Sequence, residues 1–284
     1  MNLAHMTADR WWQQLLQVQQ QAHASGALVP LTTRSESLWD GTLRFAVRVL
    51  LTPPTKSAAP AANPFLPYER ALYVSDLGDQ HVCLLNKYCV TDHHLLVVTK
   101  DYRAQEEPLQ AVDFAAMDLC LAAAQQIGWQ ALAFFNGGRV AGASQPHKHL
   151  QLILGSPGQS PLPLWDWLTA DPAVWDRGCF QALPFEHQLV RCGVRSAEAV
   201  YASLRSQQHD GPYNLLWTRD WLLHVPRRAE CFGTISLNAL AFAGGLLVRG
   251  ESQWQALQTA GPLAALQATT FSHPTSGDRR EPSA

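Results

Sequence analysis

A chain of 284 residues, 47% of them hydrophobic, carries enough apolar side chain for a large core, which excludes disorder as a whole and fits one large domain or two intimately joined ones. Its formal net charge of −2 excludes a global basic field that would draw it onto nucleic acid or an anionic membrane, so any phosphate binding is local. No apolar run approaches the roughly 18 residues of a bilayer span, and His5, Asp9 and Arg10 stand where a signal peptide needs an apolar block, so a cytoplasmic protein with no membrane partner is expected.

Thr7 reads as an N-cap, followed by an amphipathic helix to Ala24 with Trp11, Leu15 and Val18 at helical spacing and Gly26 as its stop. Residues Thr42 to Val49 alternate with period two and predict a strand that gives way to a Pro/Ala/Ser-rich loop from Thr52 to Pro64. Further strands are predicted at Ala71 to Ser75, His81 to Leu85 and His94 to Thr99, with His93 and His94 read as a strand-entry pair. Phe114, Met117, Leu121 and Ala124 place a helix within Pro108 to Gly128, and Ala131 to Phe135 returns as a strand. A turn-rich segment containing Gly142, Ser144 and Pro146 then leads into a strand from His147 to Leu154.

Beyond Pro157 come a Trp-rich stretch (Trp165, Trp167, Trp175), a helix from Ser196 to Gln207, strands around Tyr213 to Thr218 and Trp221 to Val225, and an apolar helix around Ser236 to Ala243. Another helix is expected from Ser252, and the Ser, Thr, Pro and charge beyond Thr269 predict a frayed tail. The expected divisions are 1–156 as a catalytic region, 157–250 as a second region, and 251–284 as a helix and tail. Six scattered cysteines (Cys83, Cys89, Cys120, Cys179, Cys192, Cys231) without a C-x-x-C pair suit neither a disulfide framework nor a cysteine zinc site, and ten tryptophans read as core and interface bulk.

The chemistry concentrates in Ser144-Gln145-Pro146-His147-Lys148-His149-Leu150-Gln151-Leu152. A strand's period puts His147, His149 and Gln151 on one face and Leu150 and Leu152 on the other. Burying that many polar groups costs free energy unless each is paired, so their face is expected to line a cleft. A histidine with one ring nitrogen hydrogen-bonded keeps a lone pair on the other for attack on phosphorus, which makes His149 the candidate nucleophile. Asn136-Gly137-Gly138 and Gly142-Ala143-Ser144-Gln145 supply N–H groups, a hydroxyl and amides, a cradle for phosphate that adds no charge. Two histidines two apart can also bind zinc, but a site needs three or four ligands and none stands at a convincing spacing; no protein metal site is predicted.

The S-x-P-H-x-H-x-Q strand resembles the active-site strand of the transferase branch of the histidine-triad superfamily. Within that branch, Asn63-Pro64-Phe65-Leu66-Pro67-Tyr68, Cys83-Leu84-Leu85-Asn86-Lys87-Tyr88, His94 to Lys100, Phe135-Asn136-Gly137-Gly138 and Tyr213 to Arg219 look like the diadenosine tetraphosphate phosphorylases, also called ATP adenylyltransferases. The resemblance runs from about residue 10 to 250 and implies an α+β fold, a histidine-triad-like antiparallel sheet with packed helices and a C-terminal extension. It further implies a two-step transfer in which His149 takes the adenylyl group, ATP leaves, and inorganic phosphate attacks to give ADP, with the His147 main-chain carbonyl orienting the nucleophile. Hydrolases of the superfamily carry a third histidine where Gln151 stands, so the glutamine implies phosphate as acceptor and a contact to the α-phosphate. By the same resemblance Asn86 and Lys87 lie near the nucleoside, and Asn136, Gly142, Ala143, Ser144 and Gln145 hold the polyphosphate. Lys56 in the first loop meets the phosphate chain or is a solvated lysine, and Thr218, His224 and Arg228 belong to the part that closes on substrate, where Arg227 and Arg228 read equally as a solvated charge pair.

The implied partners are a dinucleoside polyphosphate, ATP, ADP and phosphate, with no tightly bound cofactor and magnesium allowed on the polyphosphate. Monomer and homodimer both remain open. Two other readings stay beside this one: a sugar-1-phosphate nucleotidylyltransferase, which shares H-x-H-x-Q but often carries cysteine zinc ligands missing here, and a nucleotide-binding regulator without turnover.

Overall fold

The first element follows from its own sequence. Thr7 caps helix α1 (Ala8–Ser25) by accepting the Arg10 amide at 3.3 Å, Asp9 sits at the positive end of the helix, and Gly26 ends it in the left-handed region at φ 74°. Trp11, Leu15, Val18 and Ala22 recur on one face and are buried. In the computed structural model, which describes residues 1–52, 63–155, 162–206 and 211–272, that stripe joins the core on one side of a central sheet.

Strands β1 (Thr33–Asp40) and β2 (Leu43–Leu50) form a hairpin, and β3 (Tyr73–Leu77), β4 (His81–Leu85) and β5 (His94–Thr99) begin the central sheet. Helix α2 (Ala111–Gln126) crosses to β6 (Gln130–Asn136), which pairs with β7 (His149–Gly155). Helices α3 (Leu164–Ala170) and α4 (Val174–Arg177) follow, then β8 (Gln188–Arg191), α5 (Ala197–Arg205), β9 (Tyr213–Trp217) and β10 (Trp221–Pro226). The short pair β11 (Cys231–Phe232) and β12 (Ile235–Ser236), strand β13 (Gly245–Arg249), and helices α6 (Glu251–Ala260) and α7 (Pro262–Ala268) complete the described chain.

The central sheet has the order β3-β4-β5-β7-β6-β9-β10-β8, and every neighbouring pair is antiparallel. It joins β3 to β7 with β8 to β10 in one sheet. Alternation sorts its side chains onto two covered faces. Leu95, Val97, Leu150, Leu152, Phe135, Leu215 and Leu222 lie with α1, α2 and α5, whereas Phe134, Ile153, Leu216, Leu223 and Val225 lie with the second sheet. That second sheet has the order β1-β2-β13, and its parallel β2–β13 pair brings the C-terminal part back onto the N-terminal hairpin.

The α+β architecture is the one expected, with local differences. Strand β1 was not anticipated, because T-R-S-E-S-L-W-D is too polar to stand out, which suits an edge strand with one half-covered face. The strand predicted from Ala71 starts later: Arg70–Leu72 forms a 3₁₀ turn and β3 begins at Tyr73. The apolar helix expected around Ser236 to Ala243 is a 3₁₀ turn over Ala239–Ala243, capped by Asn238 and stopped by Gly244 in the left-handed region. Thr270 does not begin a frayed tail; it is buried and bridges to Arg227. Residues 273–284 lie outside the described residues.

Candidate active site

The turn from 137 to 148 links β6 to β7 and owes its shape to glycine. Gly138 and Gly142 adopt φ of 92° and 86°, and a Cβ on Gly142 would stand 2.5 Å from the Leu237 carbonyl oxygen, so no other residue fits there without displacing backbone. The loop's own bonds engage the Gly142 N–H, to Arg139 O, and the Ala143 N–H, to Gly138 O. Among the four residues Gly142 to Gln145, Ser144 and Gln145 are the two whose amides make no such bond within the described residues.

Strand β7 begins at His149 rather than at His147, which pairs only with Ala104 in an isolated bridge. His149 Nδ1 donates to the His147 main-chain carbonyl at 2.9 Å, which assigns the proton to that nitrogen and leaves the Nε2 lone pair free. Burial draws the His149 pKa down to about 4 against the opposing pull of this hydrogen bond, so the ring is neutral at physiological pH. The His147 ring has its own anchors: Nδ1 accepts from Asn63 Nδ2 at 3.0 Å and Nε2 donates to the Thr99 carbonyl at 2.9 Å. Burial lowers its pKa as well. Both rings pack on Phe65, so His147 contributes its carbonyl to the His149 ring while its own imidazole is part of the scaffold.

Gln151, next but one on the same face, accepts on Oε1 from His94 Nε2 at 2.9 Å. His94 Nδ1 in turn accepts from Asn86 Nδ2 at 3.2 Å. Burial draws the His94 pKa down to about 4, so a neutral imidazole links Asn86 to Gln151. His94 opens β5, as expected, and its ring in addition joins Asn86 to Gln151. Its neighbour His93 is turned away to Gln19 and the rings of Trp12 and Trp129. Lys87 is half-exposed and ion-paired with Glu69 at 2.8 Å.

Asn136, the last residue of β6, accepts on Oδ1 from Asn214 Nδ2 at 2.8 Å and from the Ala239 amide at 2.9 Å. Asn214 also donates to the Ala141 carbonyl at 2.8 Å, tying the glycine turn to β9. Arg227 closes the network. It is 1% exposed and donates to Asn214 Oδ1 and to the carbonyls of Ala141, Leu237, Thr269, Ala229 and Glu230. Burial lowers its pKa to about 10, which keeps it charged at neutral pH. The expectation of a solvated Arg227–Arg228 pair is thus corrected: Arg227 is an interior clamp, and Arg228 alone is exposed.

Two other expected contacts are not brought to His149. Thr218 follows β9 at the opposite end from Asn214, roughly 13 Å along the strand at about 3.3 Å per residue; it accepts from the Asp220 amide, beside Trp165 and Trp221. His224 shares the parity of Leu222 and stands on the helix-covered face, stacked on Tyr213 at 5.2 Å, whereas His149 and Gln151 stand on the other. Lys56 lies outside the described residues.

A neutral, buried imidazole with a free lone pair, set beside a neutral amide and a glycine turn on an antiparallel sheet, is chemically able to attack phosphorus. Residues 1–169 match the Ap4A phosphorylase N-terminal domain, and residues 181–272 match the ATP adenylyltransferase C-terminal domain. The chain belongs to the Ap4A phosphorylase/ATP adenylyltransferase family and is a nucleotidyltransferase. It is 27% identical to diadenosine 5',5'''-P1,P4-tetraphosphate phosphorylase 2 of Saccharomyces cerevisiae, over 75% of this chain and 77% of that protein. Its fold superposes on the crystal structure of yeast Ap4A phosphorylase Apa2 in complex with AMP with a TM-score of 0.78 at 23% identity, covering 95% of this chain and 100% of the other. The complex of Apa2 with Ap4A superposes with a TM-score of 0.76 over the same shares. No helix among the described residues is long and apolar enough to cross a membrane.

Proposed function

We infer that the enzyme cleaves diadenosine tetraphosphate by phosphorolysis through an adenylyl group carried on His149 Nε2. The observation that carries this reading is the bond from His149 Nδ1 to the His147 carbonyl, which holds the reacting tautomer in a ring kept neutral by burial. Nε2 attacks the phosphorus next to one adenosine; the N–P bond forms as the bond to the bridging oxygen breaks, and ATP departs. Inorganic phosphate then attacks the same phosphorus, the N–P bond breaks, and ADP leaves with the histidine neutral again. Read backward, the same steps assemble the dinucleotide from ATP and ADP.

Gln151, its Oε1 occupied by His94, presents its NH₂ to the α-phosphate, and Ser144 and Gln145 present the turn's amides to the rest of the polyphosphate. Asn86 and Lys87 border the nucleoside. Asn136 acts through the turn, since its carbonyl oxygen already serves Asn214 and Ala239. The ligands AMP and Ap4A of the Apa2 complexes support this substrate class. Magnesium is proposed as a companion of the polyphosphate: the amides and imidazoles around His149 are a poor donor set for a hard divalent cation, so the substrate's own oxygens would hold it and lower its charge.

The test is incubation of the purified protein with diadenosine tetraphosphate, with and without phosphate, and chromatography of the products. ATP and ADP formed only with phosphate is the expected result. ATP and AMP formed regardless of phosphate would make the enzyme a hydrolase, and tight binding without turnover would make it a regulator. His149→Ala is expected to abolish labelling of the protein by adenine-labelled substrate while substrate still binds.

A further inference from the structure

Gln105, between β5 and α2, is 1% exposed, and its side chain is spent on main-chain groups. Oε1 accepts from the His149 N–H at 2.8 Å, and Nε2 donates to the His149 carbonyl at 3.1 Å and to the Asn136 carbonyl at 2.8 Å. The Gln105 N–H donates to the Pro146 carbonyl at 2.9 Å, one residue before His147. The β6–β7 register reaches Phe134↔Gln151; carried on by one further pair of like-facing residues, it would set Asn136 opposite His149. The carboxamide is lodged at that step.

A primary amide offers a carbonyl and N–H groups as a neighbouring strand does, so Gln105 replaces the rung that β6 and β7 would otherwise form. Direct pairing would satisfy the same groups without burying a side chain amide, and burying one is worthwhile only if the strands are to be held apart. The separation falls where the glycine turn leaves the sheet. It also falls on the one residue whose atom must meet a phosphorus in line.

We infer that Gln105 is a positioning residue for adenylyl transfer, which sets the backbone of the nucleophile on both sides: His149 directly, and the carbonyl-bearing His147 through Pro146. This rests on the reading of His149 as nucleophile. Loss of the wedge lets β6 and β7 close or admits water, and either displaces Nε2 from its line of attack; a misplacement of about 1 Å is enough for a rate loss of about 100-fold.

The test compares Gln105→Ala, Gln105→Glu and His149→Ala in steady-state phosphorolysis of diadenosine tetraphosphate, alongside thermal unfolding. Gln105→Ala is expected to lower kcat about 10- to 100-fold with KM within about threefold of the parent. Gln105→Glu keeps the shape but turns a carboxylate toward two carbonyls; protonation restores one donor, so its kcat is expected to rise as pH falls, relative to the parent. An inactive His149→Ala with Gln105→Ala within about twofold of the parent kcat overturns this inference and leaves the nucleophile standing. A His149→Ala enzyme at the parent rate overturns the nucleophile reading and this inference with it. If both Gln105 variants fail to fold, or lose KM and stability in step with kcat, Gln105 serves the fold alone and the inference is overturned.

Discussion

His94 Nε2 meets Gln151 Oε1 at 2.9 Å across the β5–β7 pair, and that bond decides which end of the Gln151 carboxamide faces the nucleophile. The polarity of the link is internally consistent. Asn86 Nδ2 lies 3.2 Å from His94 Nδ1 and 3.4 Å from Nε2; with the nearer nitrogen as acceptor, the proton of the neutral ring is on Nε2, its partner atom on Gln151 is an oxygen, and the NH₂ of Gln151 is not engaged by His94.

Replacing His94 by Phe keeps a ring against Phe134 but removes the donor. One such hydrogen bond is worth about 0.5–1.5 kcal/mol, so kcat/KM for diadenosine tetraphosphate is expected to fall about two- to thirteenfold. Steady-state kinetics at neutral pH check this. An unchanged kcat/KM would mean that Gln151 needs no orientation.

Position 151 is also expected to influence the choice of acceptor. Gln151→His is expected to raise the share of AMP over ADP among the products at fixed phosphate, because an imidazole offers water a base that an amide does not. The ratio is read by chromatography, and an unchanged ratio removes Gln151 from acceptor selection.

Stability is expected to fall on the acid side. Burial draws the pKa values of His94 and His149 down to about 4 and that of His224 down to about 3. An unfolded histidine binds its proton near about 6.5, so between there and the folded values the unfolded chain holds more protons. Stability is therefore undiminished above about pH 6.5 and is lost as pH falls toward 4, at up to about 1.4 kcal/mol per pH unit for each of these histidines. Urea midpoints at about pH 7.5 and about pH 5 measure it. Equal midpoints would contradict three neutral buried rings.

Arg227 is the residue whose loss is expected to cost the fold most among those near the site. Arg227→Leu leaves Asn214 Oδ1 and the Leu237 carbonyl in the interior without their donor, and the Ala141 carbonyl with Asn214 alone, a penalty of about 3 kcal/mol. KM is expected to rise with it, because Ala141 belongs to the turn that carries Gly142 to Gln145. Urea unfolding and substrate titration report the two effects separately; a loss under about 1 kcal/mol would mean that water takes over the arginine's place.

What could be read along the chain was what local rules govern. The Thr7 cap, the Trp11–Leu15–Val18 stripe and the Gly26 stop lie within a few residues of one another, and strand β4 over His81–Leu85 was legible from its own composition. The candidate nucleophile was partly legible in the same way: period-two alternation put His149 and Gln151 on one face, whereas the His147 carbonyl as partner of Nδ1, now seen at 2.9 Å, was implied by the family resemblance. Position 224 shows where this stops. Alternation groups His224 with Leu222, but only the register of β10 on β9 and β9 on β6 reveals that this group faces the helices and not His149.

The sequence by itself carried the family resemblance and the candidate nucleophile His149, and it determined most of the strands, because these depend on contacts between near neighbours. The tertiary structure alone decided that His94 serves Gln151, that Arg227 is an interior clamp and not a surface charge, and that the Gln105 amide stands between two strands. The bonds between His94 and Gln151, Gln105 and His149, and Arg227 and Ala141 join residues 57, 44 and 86 positions apart, and a hydrogen bond over that separation is set by strand order and register, which no local pattern encodes.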